Sequence, residues 1–201
     1  MLGALDEYLG RRIVEDDDRV EGFYCDEAST AALFRRYIVR LAEEQGLDPV
    51  VRDEVVQECL ISYRSKPIVD HLNSCYQYQA SSASLEQAPD GSYRRTASAS
   101  LSMQLFLRSG QNASTGRGLS DEVFHRRRAL AYVAGAWVRY GRGSDFIFAN
   151  AQGKTRLIAQ LLSYLGCRDV RLESNFGFIP QTNMVHFQPT DEVSEWLQRV
   201  W

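Results

Sequence analysis

Lysine, proline and long apolar runs are scarce in this chain. Of its 201 residues, only Lys66 and Lys154 are lysines and five are prolines, whereas 21 are arginines. No stretch approaches the roughly 20 apolar residues that a membrane-spanning helix needs, and the residues from Met1 to Tyr8 lack the basic segment of a secretory signal. We therefore expect a cytoplasmic protein of prokaryotic type without membrane contact. Because the arginine preference extends over the whole chain, it indicates a GC-rich coding sequence, and only the clustering of arginines counts as functional evidence.

Closely spaced cysteine pairs are also missing. Cys25, Cys59, Cys75 and Cys167 are widely separated, whereas structural zinc sites usually contain a CxxC pair. The spacing of Cys59, His71 and Cys75 is similar to the end of a zinc site, and Cys25 could be a fourth ligand. In a reducing compartment these thiols are more simply buried core residues. We predict no metal and no cofactor.

The apolar patterning predicts an α+β protein, packed as one domain over residues 1–201 with any sub-boundary near 110–119. Periodicity and end signals indicate N-terminal helices at about 28–45 and 48–62, the first ended by Gly46. A long antiparallel hairpin and a helix over about 122–140 come next. A mixed βαββα end completes the prediction, with strand 145–148, helix 154–165, strands 169–173 and 184–188, and a final helix that starts after Thr190.

The hairpin carries the clearest pattern of period two. Its arms, residues 76–85 and 93–107, flank the turn signal Ala88–Gly91. Polar and apolar residues alternate from Thr96 to Leu105, which is typical of a strand with one buried and one solvated face. We expect the serine-rich face to be plain solvent surface, and a polar ligand platform is the alternative.

Charge is distributed very unevenly along the chain. Residues 1–91 contain 18 acidic and 9 basic side chains, whereas residues 92–142 contain 9 arginines and only two acidic side chains, Asp121 and Glu122. Residues 143–201 are nearly balanced, with 5 basic and 6 acidic side chains. Such asymmetry bears on partners rather than on fold. It indicates a polyanion, or an acidic surface, as the partner of the centre.

The central arginines occupy the hairpin, the glycine-rich loop after it and the following amphipathic helix. Arginines on such a set of elements could follow the phosphates of a nucleic acid. The predicted contact residues are Arg94, Arg95, Arg117, Arg126, Arg127, Arg128, Arg139 and Arg142. The alternative is that these arginines pair with the carboxylates of the acidic N-terminal half. Arginines in the first turns of a helix are also unfavourable, because the helix macrodipole is positive at that end.

Gly153-Lys154-Thr155 is the strongest local motif. It follows a predicted strand and opens a predicted helix, which is the setting of a phosphate-binding loop. The full pattern needs a glycine at position 148, where this chain has Phe148. We therefore favour an ordinary helix start with a surface lysine.

Nucleophilic catalysis would have to use one of three histidines, His71, His125 and His186. Cys75 lies close to His71 in sequence, and Asp70 could orient that ring. A catalytic triad requires these groups to converge in space, which spacing alone does not show. The catalytic residues are unknown, and an enzyme is the less favoured interpretation.

Ala134-Gly135 and Gly141 have the spacing of the small residues in one family-defining helix. The segment from Ala129 to Trp201 loosely resembles a half-domain of the LAGLIDADG homing endonucleases and their non-catalytic DNA-binding relatives. In this segment the helix with the small residues is followed by a strand, a helix and two more strands. Val138 and Tyr140 occupy the acidic positions of the motif, so the resemblance implies no metal-dependent cleavage. The first hairpin is shorter than that of the family, and small residues at this spacing also suit close helix packing.

Together these features predict a non-catalytic binding protein whose arginine cluster contacts nucleic acid or another polyanion. A protein-interaction module, such as an inhibitor or immunity-type partner that docks through its acidic N-terminal half (Asp6 to Glu58), is the alternative. An undetected hydrolase is the third hypothesis.

Overall fold

A computed structural model describes residues 2–5, 11–14, 17–47, 52–56, 60–78, 84–87, 93–101, 103, 106, 121–175, 177 and 181–200. For residues 11–13, 52–56, 77, 78, 84, 86, 93–100 and 121 it describes the backbone alone. The described chain forms two compact units, one of residues 5–100 and one of residues 2–4 with 101–201. The sub-boundary predicted near 110–119 lies outside the described residues, and the single domain stays a prediction.

The N-terminal unit combines helices with antiparallel strands. Strands β1 (Arg11–Val14) and β2 (Arg19–Tyr24) precede helix α1 (Ala28–Gln45). Strands β3 (Arg52–Val56) and β4 (Leu60–Arg64) and helix α2 (Lys66–Asn73) follow. Strand β4 lies between β2 and β3 in an antiparallel sheet. The α+β prediction is confirmed.

The helix predicted over 48–62 is wrong. Residues 52–56 and 60–64 are the paired strands β3 and β4, with Val55 opposite Ile61. Valines and isoleucines at short intervals fit a strand as well as a helix, and periodicity over so few residues does not separate the two. Pairing with β2, a partner distant in sequence, settles the conformation.

Three aromatic rings form the centre of this unit. Phe23 of β2, Phe34 of α1 and Tyr63 of β4 lie with ring centroids 5.2–6.5 Å apart. Phe23 and Phe34 are almost completely buried. Offset aromatic contacts of this kind add to the free energy gained by burial.

The predicted hairpin is present but shorter than expected. Strands β5 (Gln77–Tyr78), β6 (Ser84–Gln87) and β7 (Tyr93–Ser100) form an antiparallel sheet in which β7 also pairs with β1. The strand ends at Ser100 rather than at Leu107, and Met103 and Phe106 are helical. Leu101 is buried as predicted, whereas the turn at Ala88–Gly91 lies outside the described residues.

The C-terminal unit contains a four-stranded antiparallel sheet and α-helices. Helix α3 (Asp121–Tyr140) leads into β8 (Gly141–Arg142) and β9 (Asp145–Ala149), and α4 (Gln152–Tyr164) leads into β10 (Arg168–Asn175) and β11 (Thr182–Gln188). Helix α5 (Asp191–Gln198) completes the unit. The strand order is β10-β11-β9-β8. Apart from the short strand β8, each of these elements was predicted from the sequence.

Local chemistry explains where several helices begin and end. Gly46 and Gly166 adopt φ of 61° and 83° after helices α1 and α4, a conformation that glycine accepts without a steric penalty. Thr190 accepts a hydrogen bond from the Val193 N–H at 3.3 Å and caps helix α5. These three signals were readable in the sequence.

Helix α3 is packed on both its sheet and the N-terminal 3-10 helix Leu2–Ala4. The Trp137 ring meets Phe146 and Phe187 edge-on, with centroids 5.0 and 6.0 Å away. Gly3 lies so close to the helix that a Cβ atom there would be 2.1 Å from the Tyr132 carbonyl oxygen. No helix in the described part of the chain is long and apolar enough to cross a bilayer.

Two glycine-to-alanine substitutions test this packing. A Cβ atom at Gly141 would lie 2.5 Å from Trp137 Cδ2, whereas one at Gly153 has no neighbour within 4 Å. We expect Gly141→Ala to lower the free energy of unfolding by about 1–3 kcal/mol. Gly153→Ala, in a helix, should raise it by about 0.4–1 kcal/mol. Urea denaturation of both variants measures the difference, and equal effects would contradict the packing of Gly141.

Candidate functional site

The first two turns of helix α3 project from the core. None of the residues from Glu122 to Arg128 is buried, whereas Ala129, Leu130 and Val133 are. Val123 also reaches solvent, because its side chain is 39% exposed. The buried residues that hold the helix in place begin at Ala129. This end of α3 therefore presents its side chains to solvent on several sides.

Arg126 anchors this projecting end within the C-terminal unit. Its Nε donates a 2.7 Å hydrogen bond to Glu192 of α5, and its Nη2 donates a 3.2 Å bond to the Leu165 carbonyl after α4. The hydrogen bond to Glu192 is also the main cause that raises the pKa of Arg126 above its ordinary value. The guanidinium thus has partners within the C-terminal unit, and they attach this end of α3 to α5 and to the end of α4.

Arg127 and Arg128 point in other directions. At 100° per residue, Arg126 projects within about 20° of the direction of Trp137, whose ring contacts the sheet, whereas Arg127 is turned by about 80° and Arg128 by about 180°. Arg127 is exposed and Arg128 half-buried. The Arg128 guanidinium carbon lies 5.3 Å from the centre of the exposed Phe124 ring. These two arginines occupy the outer side of the helix.

The other predicted contact residues lie on other elements or outside the described residues. Arg142 is exposed on β8, where its Nη1 donates to the Gly141 carbonyl at 2.9 Å. Arg94 and Arg95 lie on β7 of the N-terminal unit with their side chains undescribed, and Arg117 lies outside the described residues. Only Arg126, Arg127 and Arg128 are shown as a local cluster.

Arg139 does not belong to an exposed surface. Its side chain is only 8% exposed, and its Nη1 donates a 3.3 Å hydrogen bond to the Ala4 carbonyl. The guanidinium carbon also lies 5.7 Å from the Tyr140 ring centre. Residues 2–4 pack against helix α3 and cover Arg139. The sequence periodicity of α3 could not reveal this contact, because it involves a segment distant in the chain. The contact role predicted for Arg139 is therefore not retained.

Exposed Arg168 is a basic residue that the sequence analysis did not select. It begins strand β10, three residues after Leu165, whose carbonyl Arg126 contacts. Three residues span at most about 11 Å, so the two arginines are close to one end of helix α4. Asp169 follows Arg168 in the chain, and Glu192 is the partner of Arg126. Arg168 stands outside the basic segment, so no charge run in the sequence pointed to it.

The Gly153-Lys154-Thr155 motif serves the interior. Lys154 is 1% exposed, with its Nζ 5.0 Å from the Tyr140 ring centre and 6.0 Å from that of Tyr132. The prediction of a surface lysine is wrong. The Thr155 hydroxyl donates to the Ala151 carbonyl at 2.8 Å. A phosphate loop requires its lysine and hydroxyl to face a ligand, whereas both groups here face the protein.

Two of the three histidines, His186 and His71, have described neighbours that bear on a catalytic role. His186 has a carboxylate on each ring nitrogen, with Asp145 3.1 Å from Nδ1 and Glu173 3.1 Å from Nε2. A catalytic histidine needs one nitrogen directed at a nucleophile. Cys75 contacts the backbone carbonyl of His71 at 3.8 Å rather than its ring, and Asp70 is paired with Lys66. The triad considered from sequence is not formed.

The thiols differ in exposure. Cys25 is exposed, whereas Cys75 and Cys167 are half-buried. Burial raises the pKa of the Cys167 thiol above its ordinary value, although a backbone hydrogen bond from Thr190 and the charge of Arg126 act in the opposite direction. Among the residues that the structure describes, which do not include Cys59, no three His, Cys, Asp or Glu side chains form a metal-binding group.

A cavity of about 360 Å³ lies at the other end of helix α3. Trp137, Phe187, Pro189 and Leu197 form much of its wall, and Ser194 adds a hydroxyl group. Its size is at the lower end of the range for small-molecule sites. No charged side chain stands among its described lining residues. The cavity therefore does not suit a phosphate group and is separate from the arginine cluster.

Substitution of Lys154 distinguishes an interior role from a ligand-binding one. Lys154→Ala removes a long buried side chain and should lower the free energy of unfolding by about 2–5 kcal/mol. Lys154→Met keeps most of the volume and should cost less. Urea denaturation measures both. Wild-type protein that bound magnesium-ATP at micromolar concentration, and lost that affinity in Lys154→Ala, would contradict the interior role.

Thiol labelling tests the two described cysteines that differ most. At pH 7.5 we expect Cys25 to react with iodoacetamide much faster than Cys167, because a raised pKa leaves less thiolate at Cys167. Mass spectrometry of labelled peptides gives the two rates separately. Cys25→Ser should remove the rapid phase at that peptide and leave the Cys167 rate unchanged. Equal rates at both sites would contradict the burial of Cys167.

The α3–β8–β9 segment contains the residues on which the family resemblance was based. Gly141 packs against Trp137, and Val138 is buried. The first hairpin is short, as the sequence indicated, with only Gly141 and Arg142 in strand β8. Comparison of the chain with protein-family models, with curated proteins and with solved structures gives no match.

Proposed function

We propose that this protein is a non-catalytic binding protein that contacts a polyanion, nucleic acid foremost, through arginines on the outer side of helix α3. The observation that carries the proposal is that three successive arginines of α3 differ in their surroundings. Arg126 is held by Glu192 and the Leu165 carbonyl, so it fixes the end of the helix. Arg127 and Arg128 extend from the same two helical turns, which these hydrogen bonds attach to α5 and to the end of α4.

The charge of the segment supports the same function. Residues 92–142 have a net charge of +7 in a chain whose overall charge is −3. Phosphate backbones attract basic side chains independently of the nucleotide sequence, because each neutralised phosphate releases a condensed counterion. Exposed Arg142 lies beyond the opposite end of α3, so a polyanion that reached both ends would follow the helix for about 20 Å.

The described acidic residues of the N-terminal unit give less support to a docking role. Asp18 is paired with Arg64 at 2.6 Å, and Glu44 is paired with Arg40 at 2.7 Å. Glu21 is buried and accepts a hydrogen bond from the Gly22 N–H at 2.9 Å. These carboxylates already have partners in their own unit. Docking on a basic protein therefore stays a prediction, and it is an outcome of the experiment below.

Charge reversal at Arg127 and Arg128 tests the proposal. Fluorescence anisotropy with a labelled 20-nucleotide DNA or RNA, at 25–200 mM salt, should show an affinity that falls as salt rises. In Arg127→Glu/Arg128→Glu, binding should weaken for all sequences alike. The slope of log affinity against log salt should fall by about 0.7–0.9 for each phosphate contact that is lost. Circular dichroism of the variant should stay like that of the wild type.

The N-terminal unit offers a matched control. Arg35 and Arg36 are adjacent, exposed arginines on helix α1. Arg35→Glu/Arg36→Glu changes the net charge by the same amount and should leave the slope close to that of the wild type. Equal effects of both double variants would show attraction by overall charge rather than by a site. No binding by the wild type at 25 mM salt would overturn the proposal and favour a protein partner.

A further inference from the structure

Phe124 is an exposed aromatic side chain between the arginines of the proposed contact surface. It lies in the first turn of helix α3 and is 39% exposed. Arg127 and Arg128 follow at positions i+3 and i+4, which are its neighbours on the helix surface. The Arg128 guanidinium carbon is 5.3 Å from the ring centre. Phe124, Arg127 and Arg128 thus form one contiguous patch, the Phe124 patch.

Core packing does not account for this arrangement. The buried side chains of α3 begin at Ala129, and Phe124 projects about 140° away from the direction of Trp137. Among the residues that the structure describes, the aromatic ring next to Phe124 is that of His125, 6.2 Å away and tilted by 57°. A single exposed apolar residue is common and needs no special explanation. An aromatic ring covered by one guanidinium and adjacent to a second is a more specific combination.

The combination matches the chemistry of an unpaired nucleobase. Single-stranded nucleic acids are held by aromatic rings and arginine planes on which bases stack, together with cations that follow the phosphates. In a duplex the faces of the bases are already stacked on one another, so a ring on a convex helix surface meets only phosphates, sugars and groove edges. A polyanion without bases offers no π face at all.

We infer that the Phe124 patch binds single-stranded nucleic acid, with a base stacked on the Phe124–Arg128 pair and the adjoining phosphates contacted by Arg127. This inference rests on the proposed function and deepens it, since it names the class of polyanion. Glu122, in the same turn, is turned about 140° from Arg127 and leaves that side of the helix basic. Affinity at the patch is therefore independent of sequence but dependent on unstacked bases.

Three probes separate stacking from phosphate attraction. A labelled 12-nucleotide oligothymidylate, a 12-base-pair duplex and inorganic polyphosphate are titrated with full-length protein at one salt concentration. The oligothymidylate should bind more tightly than the duplex. Phe124→Ala should weaken oligothymidylate binding by about 5- to 100-fold, the range expected for loss of one stacked base. The same variant should leave polyphosphate binding unchanged, and Phe124→Trp should retain oligothymidylate affinity.

Val123 provides the matched control, because it is apolar, adjacent and also 39% exposed. Val123→Ala should leave all three affinities unchanged. If the wild type binds the duplex at least as tightly and Phe124→Ala has no effect, the inference is overturned while the proposed function stands. If Phe124→Ala weakens polyphosphate as much as oligothymidylate, the ring supports the helix rather than a base, and the inference also fails. If no probe binds the wild type, both the inference and the proposed function fail.

Discussion

The edge-on contacts of Trp137 with Phe146 and Phe187 hold helix α3 on its sheet, and the direction of every other side chain on that helix follows from them. The ring centroids are 5.0 and 6.0 Å apart, and such pairs contribute about 0.5–1.5 kcal/mol each beyond the area they bury. Once Trp137 faces the sheet, the helical repeat directs Arg126 to nearly the same side of the helix and Arg128 to the opposite side. Arg126 thereby reaches Glu192, whereas Arg128 lies against the Phe124 ring.

Burial of cations is the second constraint on this unit. Lys154 and Arg139 both lie against the ring of Tyr140, with their charged groups 5.0 and 5.7 Å from its centre. A buried charge is costly unless hydrogen bonds or ring faces replace its water, and an aromatic face is one such replacement. Removal of these cations from solvent also removes them from any ligand. Both residues looked like ligand-binding candidates in the sequence because basic side chains are mostly exposed.

Pairing between distant segments explains where the sequence-based fold was incomplete. Strand β7 was predicted from the alternation of its apolar and polar residues. Its partner in the sheet is β1, where Arg11 lies opposite Ala99, and these two residues are far apart in the chain. Strands β3 and β4 were mistaken for a helix because a few apolar residues satisfy either period. By contrast, helices α1, α3 and α4 have strong periodicity or glycine ends, and their bounds agree with the prediction within two residues.

For this protein the sequence alone determined the α+β class, most of the elements of the C-terminal unit and the existence of a basic centre, because these depend on local periodicity, end signals and composition. It could not determine which of the basic side chains reach solvent. That was decided by the tertiary structure: Glu192 and the Leu165 carbonyl engage Arg126, the Leu2–Ala4 segment covers Arg139, and two tyrosine rings enclose Lys154. Each of these contacts joins segments that the local pattern treats independently, so only the folded chain brings them together.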